Sequence, residues 1–345
     1  MNDDDPLALA APADATRALR RLAVGALGLA LGGIFLWLAL RDLDLDTMRA
    51  ALRTLDPLLV ALSLALYWLG LALRVERWQS LLAQLQPVTR REVAEVLLVG
   101  YAVNNLLPAR LGELFRADYA KRRSGLSRAK VLGSIVIERA ADLAAILACL
   151  ACGLLATGVL ARAEALMPGR MLFVGAMLCA GAAGGLWLAR RGGLGLPRLP
   201  WTLLRLTADL GSGLRALNRA TLARTCALTI AVWSAEVTAL WTMLAALGER
   251  LQPAQALFVM SAASLSTLVP TAPGYLGTYQ LAFATAMTAF GLSATHGVLA
   301  STLIQLLLFG SVTMAGLLLY LARWMHNMRP VRNEALLGGS DFHSR

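Results

Sequence analysis

Charge is scarce in this chain. Aspartate, glutamate, lysine and arginine make up 15% of the 345 residues, whereas 58% are hydrophobic and the mean hydropathy is +0.62. Ordinary soluble domains carry about 25% charged and about 45–50% apolar residues. The composition therefore excludes a disordered chain, a secreted disulfide scaffold and a conventional cytosolic enzyme, and it predicts a polytopic membrane protein.

Residues that usually carry catalysis are few as well. The chain has three histidines and no H-E-x-x-H, G-x-S-x-G or Walker A motif. Cys149 and Cys152 match C-x-x-C, but they lie in an apolar run, where we interpret small thiols as packing residues. We expect no cofactor and no metal, and ATP is not the expected energy source.

The net charge of +11 is distributed as in a membrane protein and does not indicate a nucleic-acid partner. Lysine and arginine concentrate in three loops, 74–91, 110–130 and 190–224. They are sparse in three others, 41–56, 161–170 and 248–253. The positive-inside rule then predicts a multi-pass protein of the cell inner (cytoplasmic) membrane with both termini in the cytoplasm.

Six apolar segments approach or exceed the roughly 20 residues that cross a bilayer: 22–40, 57–73, 131–160, 171–189, 225–247 and 298–321. Two others, at about 93–118 and 254–291, are interrupted by asparagine, proline or glycine. Such breaks free backbone groups, which are tolerated at membrane depth only inside protein or beside a wet cavity. The sequence predicts an all-α polytopic membrane protein with six full transmembrane helices plus two re-entrant hairpins.

The order crossing, crossing, hairpin, crossing occurs in 22–160 and again in 171–321, and the intervening crossings invert the second copy. This predicts an inverted repeat, whose broken elements meet near the membrane midplane. Cytoplasmic tails would occupy 1–21 and 323–345, and 161–199 would connect the repeats. Leucines alternate with arginines in 200–222, which indicates an interfacial amphipathic helix or a solvated linker before the rest of the second repeat, 223–322.

Several charged residues fall in or beside the apolar segments, where they are expensive and often functional. Glu138, Arg139 and Asp142 share neighbouring helix faces and either line a cavity or pack at the interface. Glu236 either is protonated or pairs with another helix. Arg74 and Arg77 either anchor to headgroups or belong to a site.

The two interrupted segments carry complementary polar groups. The first provides amides, guanidinium groups and a carboxylate, from Asn104, Asn105, Arg110, Glu113 and Arg116. Arginine there suits a phosphate, because its planar fork donates two parallel hydrogen bonds. The second provides hydroxyls, phenols and glycine backbone, which suit a sugar, glycerol or water-lined path, from Thr271, Gly274, Tyr275, Gly277 and Tyr279.

Four ordered motifs resemble the lysylphosphatidylglycerol synthase transmembrane-domain family, also called flippase-like: Arg74 to Trp78, Asn105 to Arg116, Gly133 to Asp142 and Pro273 to Gly277. The resemblance spans roughly 20–325. It implies transport of a modified phospholipid or polyprenyl-linked sugar between leaflets. Many members carry glutamate where this chain has Gln280, which puts in doubt a mechanism that needs an acid there.

These observations support three hypotheses. In the first, a flippase passes an anionic or polyprenyl-phosphate lipid, with the residues named above as substrate-binding residues and Arg110, Arg116 and Arg139 on the phosphate. In the second, the chain is a non-catalytic membrane partner of a separate synthase or glycosyltransferase. The third, an intramembrane headgroup transferase, lacks a recognisable nucleophile and base.

The charge bias predicts a labelling pattern for single cysteines in a cysteine-free background. Cysteines at Thr47 and Gly248 should react from outside, whereas those at Ser124 and Gly193 should react with an impermeant reagent only after permeabilisation. Labelling at Ser124 in intact cells would mean that the first interrupted segment crosses the membrane.

Overall fold

The computed structural model describes residues 45–107, 112–159, 218–268 and 273–328. Those residues form helices and connections, without a β-strand among them. The helices, in chain order, are α1 (Leu45–Arg53), α2 (Pro57–Leu82), α3 (Arg90–Leu106), α4 (Gly112–Ser124), α5 (Arg128–Thr157), α6 (Arg219–Ala246), α7 (Pro253–Ser266), α8 (Thr278–Thr288) and α9, which comprises Ala294–Leu303, the π-helical Ile304–Phe309 and Gly310–Met328. A short 3₁₀ turn, Pro273–Tyr275, precedes α8.

Local sequence signals set where the helices begin. Asp56 caps α2 by accepting from the Leu58 amide at 2.8 Å, and Pro57 occupies the first helical position. At α3, Thr89 and Glu92 form a capping box. Hydrogen bonds from the Thr89 backbone and hydroxyl lower the pKa of Glu92. These caps satisfy amides that would otherwise have no partner.

Four of the described helices are long and apolar enough to cross a membrane: α2, α5, α6 and most of α9. They correspond to the predicted crossings 57–73, 131–160, 225–247 and 298–321. Helix α2 runs on to Leu82, so Arg74 and Arg77 lie inside it. Residues 219–222, predicted to end the interfacial helix, instead begin α6. The predicted crossings 22–40 and 171–189, and the rest of the interfacial segment, lie outside the described residues.

Helices α2 and α6 pack along their length in opposite directions. The Asp56 amide donates to the Ala246 carbonyl at 3.0 Å, and the Ser63 hydroxyl donates to the Ala239 carbonyl at 2.7 Å. Further along, Arg77 reaches Thr229 at 3.0 Å. Residue numbers rise along one helix as they fall along the other, so the pair is antiparallel.

Each interrupted segment folds back on itself. In the first, Tyr119 of α4 donates to Glu95 of α3 at 2.8 Å, and the backbones come so close that a Cβ on Gly112 would lie 2.6 Å from the Gly100 carbonyl oxygen. In the second, the rings of Phe258 and Phe290 meet edge to face at 5.4 Å, one near the start of α7 and the other just after α8. Both segments are therefore helical hairpins.

Each hairpin packs against a long helix from the other part of the chain. Helix α5 meets α7 where a Cβ on Gly153 would lie 2.8 Å from the Phe258 amide nitrogen. Helix α9 meets α3 where a Cβ on Gly316 would collide with the Leu98 carbonyl oxygen. Glycine is needed at both crossings because backbone, which cannot rotate away, occupies the space.

The α9–α3 crossing yields a stability prediction. Gly316→Ala should destabilise the protein by about 1–3 kcal/mol through overpacking. Gly310→Ala, in the same helix, is the control, because its new Cβ would have its nearest neighbour 3.7 Å away, an ordinary contact. Alanine there should be neutral or stabilising, since it favours a helix over glycine by about 1 kcal/mol. Thermal unfolding in detergent measures both, and equal melting temperatures would contradict the close crossing.

Candidate functional site

A cavity of about 340 Å³ lies where the two hairpins meet the long helices. Its polar lining comes from both hairpins and from charged residues of α2, α5 and α6: Arg74, Asn104, Asn105, Glu113, Arg139, Asp142, Glu236, Ser264, Thr267, Tyr275 and Tyr279. Aromatic and aliphatic side chains complete the wall, among them Tyr67, Tyr101, Trp233 and Phe309. Its volume is at the lower end of ligand pockets, which hold about 300–1,000 Å³.

Arg74 joins three helices at this cavity. Its Nε donates to Glu236 Oε1 at 2.9 Å, its Nη2 contacts the same oxygen, and its Nη1 donates to Asp142 at 3.4 Å. The apolar segment that contains Glu236 has no lysine or arginine, and its partner is Arg74 of α2. All three guanidinium nitrogens of Arg74 are engaged by acids.

Arg77 is completely buried one turn further along α2. It donates to Asp142 at 2.7 Å, to Glu138 at 3.2 Å and to Thr229. Arg74 is only 9% exposed. The alternative that Arg74 and Arg77 anchor to lipid headgroups is therefore wrong, because a headgroup anchor must reach the membrane surface.

Arg116 connects the first hairpin to the same network. Its Nη2 donates to Glu138 at 2.8 Å, and its guanidinium carbon lies 3.5 Å from the ring centroid of Trp78, a cation–π contact. Trp78 is held in turn by a hydrogen bond to Ser134 at 3.0 Å. Arg77, Arg116 and Glu138 lie behind the cavity wall, where they support the residues that line it.

Arg139 is held more loosely than the other arginines of this cluster. Its Nη2 lies 3.2 Å from Glu138 and 3.5 Å from Asp142, the latter contact being the one that their spacing predicted. Its Nε has no hydrogen-bond partner among the described residues and lies 3.8 Å from Glu113, too far for a hydrogen bond. The Nε atoms of Arg77 and Arg116 also lack partners, but those side chains do not line the cavity.

The tips of the hairpins touch across the cavity. Asn104 donates from Nδ2 to the Tyr275 hydroxyl at 2.9 Å, and Asn105 donates to Thr313 of α9 at 2.8 Å. The Asn104 Oδ1 is buried without a partner in the described structure. Two residues of the cavity lining, Arg139 and Asn104, thus each carry a buried polar atom without a hydrogen-bond partner among the described residues.

A chain of amides holds the second tip in place. The Gly277 amide donates to Gln280, Gln280 contacts Gln305, and Gln305 donates to the Gly274 carbonyl at 2.9 Å. This clamp fixes a turn in which Gly274, Tyr275 and Gly277 all have positive φ, costly for tyrosine. Gln305 lies in the π-helical part of α9, a feature frequent at functional sites.

The structure brings most of the predicted site residues together, and two lie outside the described residues, Arg110 and Thr271. Sequence reasoning missed Gln305 and Trp233, whose Nε1 donates to Asp142 at 3.2 Å. Polar or aromatic residues inside apolar segments were the available signal for both. Their roles depend on cross-helix contacts that no spacing rule predicts.

Residues 25–316 match the family described as the lysylphosphatidylglycerol synthase TM region. The chain belongs to this family. It is therefore a multi-pass membrane protein, in agreement with its long apolar helices. It is also 27% identical to a protein named Glycosyltransferase AglD from Haloferax volcanii, over 87% of this chain and 54% of that protein. The chain thus spans about half the length of that relative.

The contacts of the arginines in this lysylphosphatidylglycerol synthase TM region predict how much stability each substitution should cost. Arg77→Met should lower stability by about 3–5 kcal/mol, because it leaves Asp142 and Glu138 short of a partner in a dry interior. Arg139→Met should cost clearly less, since Arg139 is 34% exposed and both acids keep the fully buried Arg77 as their partner. Melting temperatures in detergent compare the two variants. A larger loss for Arg139→Met would show that this network is not the stabilising element.

Proposed function

We propose that this chain moves a phosphate-bearing lipid, a modified phospholipid or a polyprenyl-linked sugar, between membrane leaflets. The observation that carries the proposal is one cavity in which both hairpin tips meet an arginine that lines the wall with an unpaired Nε. A charged side chain inside a membrane bundle is expensive and usually marks a substrate path. Membership of a lipid-related membrane family and a relative named as a glycosyltransferase support a lipid substrate.

Transport of this kind requires a particular arrangement of the helices in the membrane. We infer that both helical hairpins are re-entrant and that the chain is an inverted repeat in the cell inner membrane, with both termini in the cytoplasm. Three observations support it: α2 and α6 are antiparallel, each is followed by a hairpin and a long helix, and each long helix packs on the other hairpin. Broken elements meeting at a central site are typical of transporters built this way.

The cavity residues have separate roles in this proposal. Arg139 binds the phosphate, because its planar guanidinium forms charge-assisted hydrogen bonds that are strong where water is excluded. Asp142 and Glu138 hold Arg139 in place and compete for it, which keeps binding reversible. The amides and phenols of the two tips, Asn104 and Tyr275 among them, bind the rest of the headgroup while the hydrocarbon chain stays in lipid. No catalytic step is assigned to the chain.

A second candidate is a membrane partner of a separate lipid-modifying synthase or glycosyltransferase. The similarity to a relative named as a glycosyltransferase, of which this chain spans about half, favours it. In this candidate the cavity presents the lipid to the partner without moving it between leaflets.

The test is leaflet exchange of a fluorescent anionic phospholipid and a polyprenyl-phosphate lipid in proteoliposomes. Wild-type protein should exceed empty vesicles. Arg139→Gln should lower the rate by about 10²-fold or more, and Arg139→Lys by less, because lysine keeps the charge and loses the fork. Arg110, predicted at the first tip, should show the same order of effects. Expression and melting temperature should stay near wild type.

The matched control is Arg128→Gln, which removes an exposed arginine from the start of the same helix, α5, and should leave the rate unchanged. A zwitterionic lipid controls for nonspecific leakage. Wild-type protein that exchanges neither lipid above empty vesicles would overturn the transport proposal and favour the partner role.

A further inference from the structure

Two partly exposed side chains of the cavity lining come from α4 and α5. Of the charged side chains that line the cavity, Glu113 and Arg139 are the most exposed in the described structure, at 33% and 34%, whereas Arg74, Asp142 and Glu236 are at most 12% exposed. Glu113 opens α4 and Arg139 lies in the middle of α5, so their contact at 3.8 Å joins the two helices where the cavity lining is partly exposed.

Apolar side chains stand exposed directly beside this pair. Leu114 follows Glu113 and is 57% exposed, and Val136, one turn before Arg139, is 44% exposed. Val136, Arg139 and Leu143 are spaced to share one face of α5, and Leu143 lines the cavity. A continuous strip of α5 thus leads from an exposed apolar residue past the arginine into the cavity.

We infer that a lateral portal for the hydrocarbon chain of an anionic lipid opens here between α4 and α5, with Glu113 and Arg139 as its gate. The inference rests on the proposed lipid substrate and adds the route by which that lipid enters the cavity. A lipid that enters from the side keeps its chain against Leu114 and Val136 while its phosphate moves inward to Arg139. A soluble phosphate would gain nothing from two exposed apolar residues at the entrance.

The ion pair between Glu113 and Arg139 is weak enough for an incoming lipid phosphate to separate it. Glu113 Oε1 lies 3.8 Å from Arg139 Nε, an ion pair without a hydrogen bond, and about a third of each side chain is exposed. This contact is longer than those of Arg139 with Glu138 and Asp142, so Glu113 is the acid most easily displaced. The incoming phosphate therefore replaces Glu113 on an arginine that Glu138 and Asp142 keep in position.

This competition predicts that two substitutions, each removing one charge of the pair, change the affinity for anionic lipid in opposite directions. Glu113→Gln removes the competing carboxylate, so it should lower the amount of anionic lipid needed for half-saturation, by roughly fivefold or more. Arg139→Gln should abolish saturable binding. A merely structural role for Glu113 predicts the reverse for Glu113→Gln, with weaker binding and a lower melting temperature.

Binding is measured without transport, on the full chain in phosphatidylcholine nanodiscs that contain increasing fractions of long-chain phosphatidylglycerol, by native mass spectrometry of the retained lipid. Glycerol 3-phosphate, added in excess, tests whether a water-soluble phosphate ester can occupy the same site as the lipid phosphate. It should not displace the long-chain lipid. Equal displacement would overturn the portal and indicate a site for soluble phosphates.

A steric variant tests the apolar side of the entrance. Val136→Trp should slow uptake of the long-chain lipid, whereas Leu155→Trp should not, because Leu155 is an exposed residue of the same helix that does not line the cavity. The portal is wrong if these two variants behave alike or if Glu113→Gln leaves binding unchanged. Saturable binding without leaflet exchange would leave the portal standing and reject the transport proposal.

Discussion

The structure depends on a network of opposite charges buried between membrane-length helices. Four arginines, on α2, α4 and α5, are matched by carboxylates on α5 and α6, and all but Arg139 are nearly inaccessible. In such an interior an unpaired charge is far more costly than a paired one, so each partner requires the other. The network therefore dictates which helices pack together: Arg74 brings α2 to α6, and Glu138 brings α4 and α2 to α5.

Four residues of this network, Arg74, Arg139, Asp142 and Glu236, form one side of the cavity, and the hairpin tips form the other. The tips are held by neutral amides: Asn104 on Tyr275, and Gln280 with Gln305 on the glycine turn. Neutral hydrogen bonds are weaker than buried ion pairs when both are satisfied, so the tips are the part of the site more easily rearranged. In the proposed transport, we therefore expect the tips to move and the arginine cluster to stay in place.

The glycine crossings connect this local arrangement to the whole molecule. Helix α5 carries Arg139 and also packs through Gly153 on the second hairpin, and α9 carries Gln305 and packs through Gly316 on the first. Each of these helices therefore contacts one hairpin through its glycine and carries a side chain of the site. The same contacts explain why these helices approach so closely, since only glycine leaves room for the facing backbone.

The sequence by itself determined the class of the molecule. Long apolar segments required membrane helices, breaks at Asn104–Pro108 and Pro270–Gly277 marked where helices end, and the spacing of Arg139 and Asp142 predicted their contact. Each of these is a local property of one segment. The tertiary structure alone decided that Arg74 meets Glu236, that Arg116 stacks on Trp78 and that Gln305 holds the second tip. Those partners lie on different helices, and helix periodicity specifies which face a residue occupies without specifying which helix will cover it.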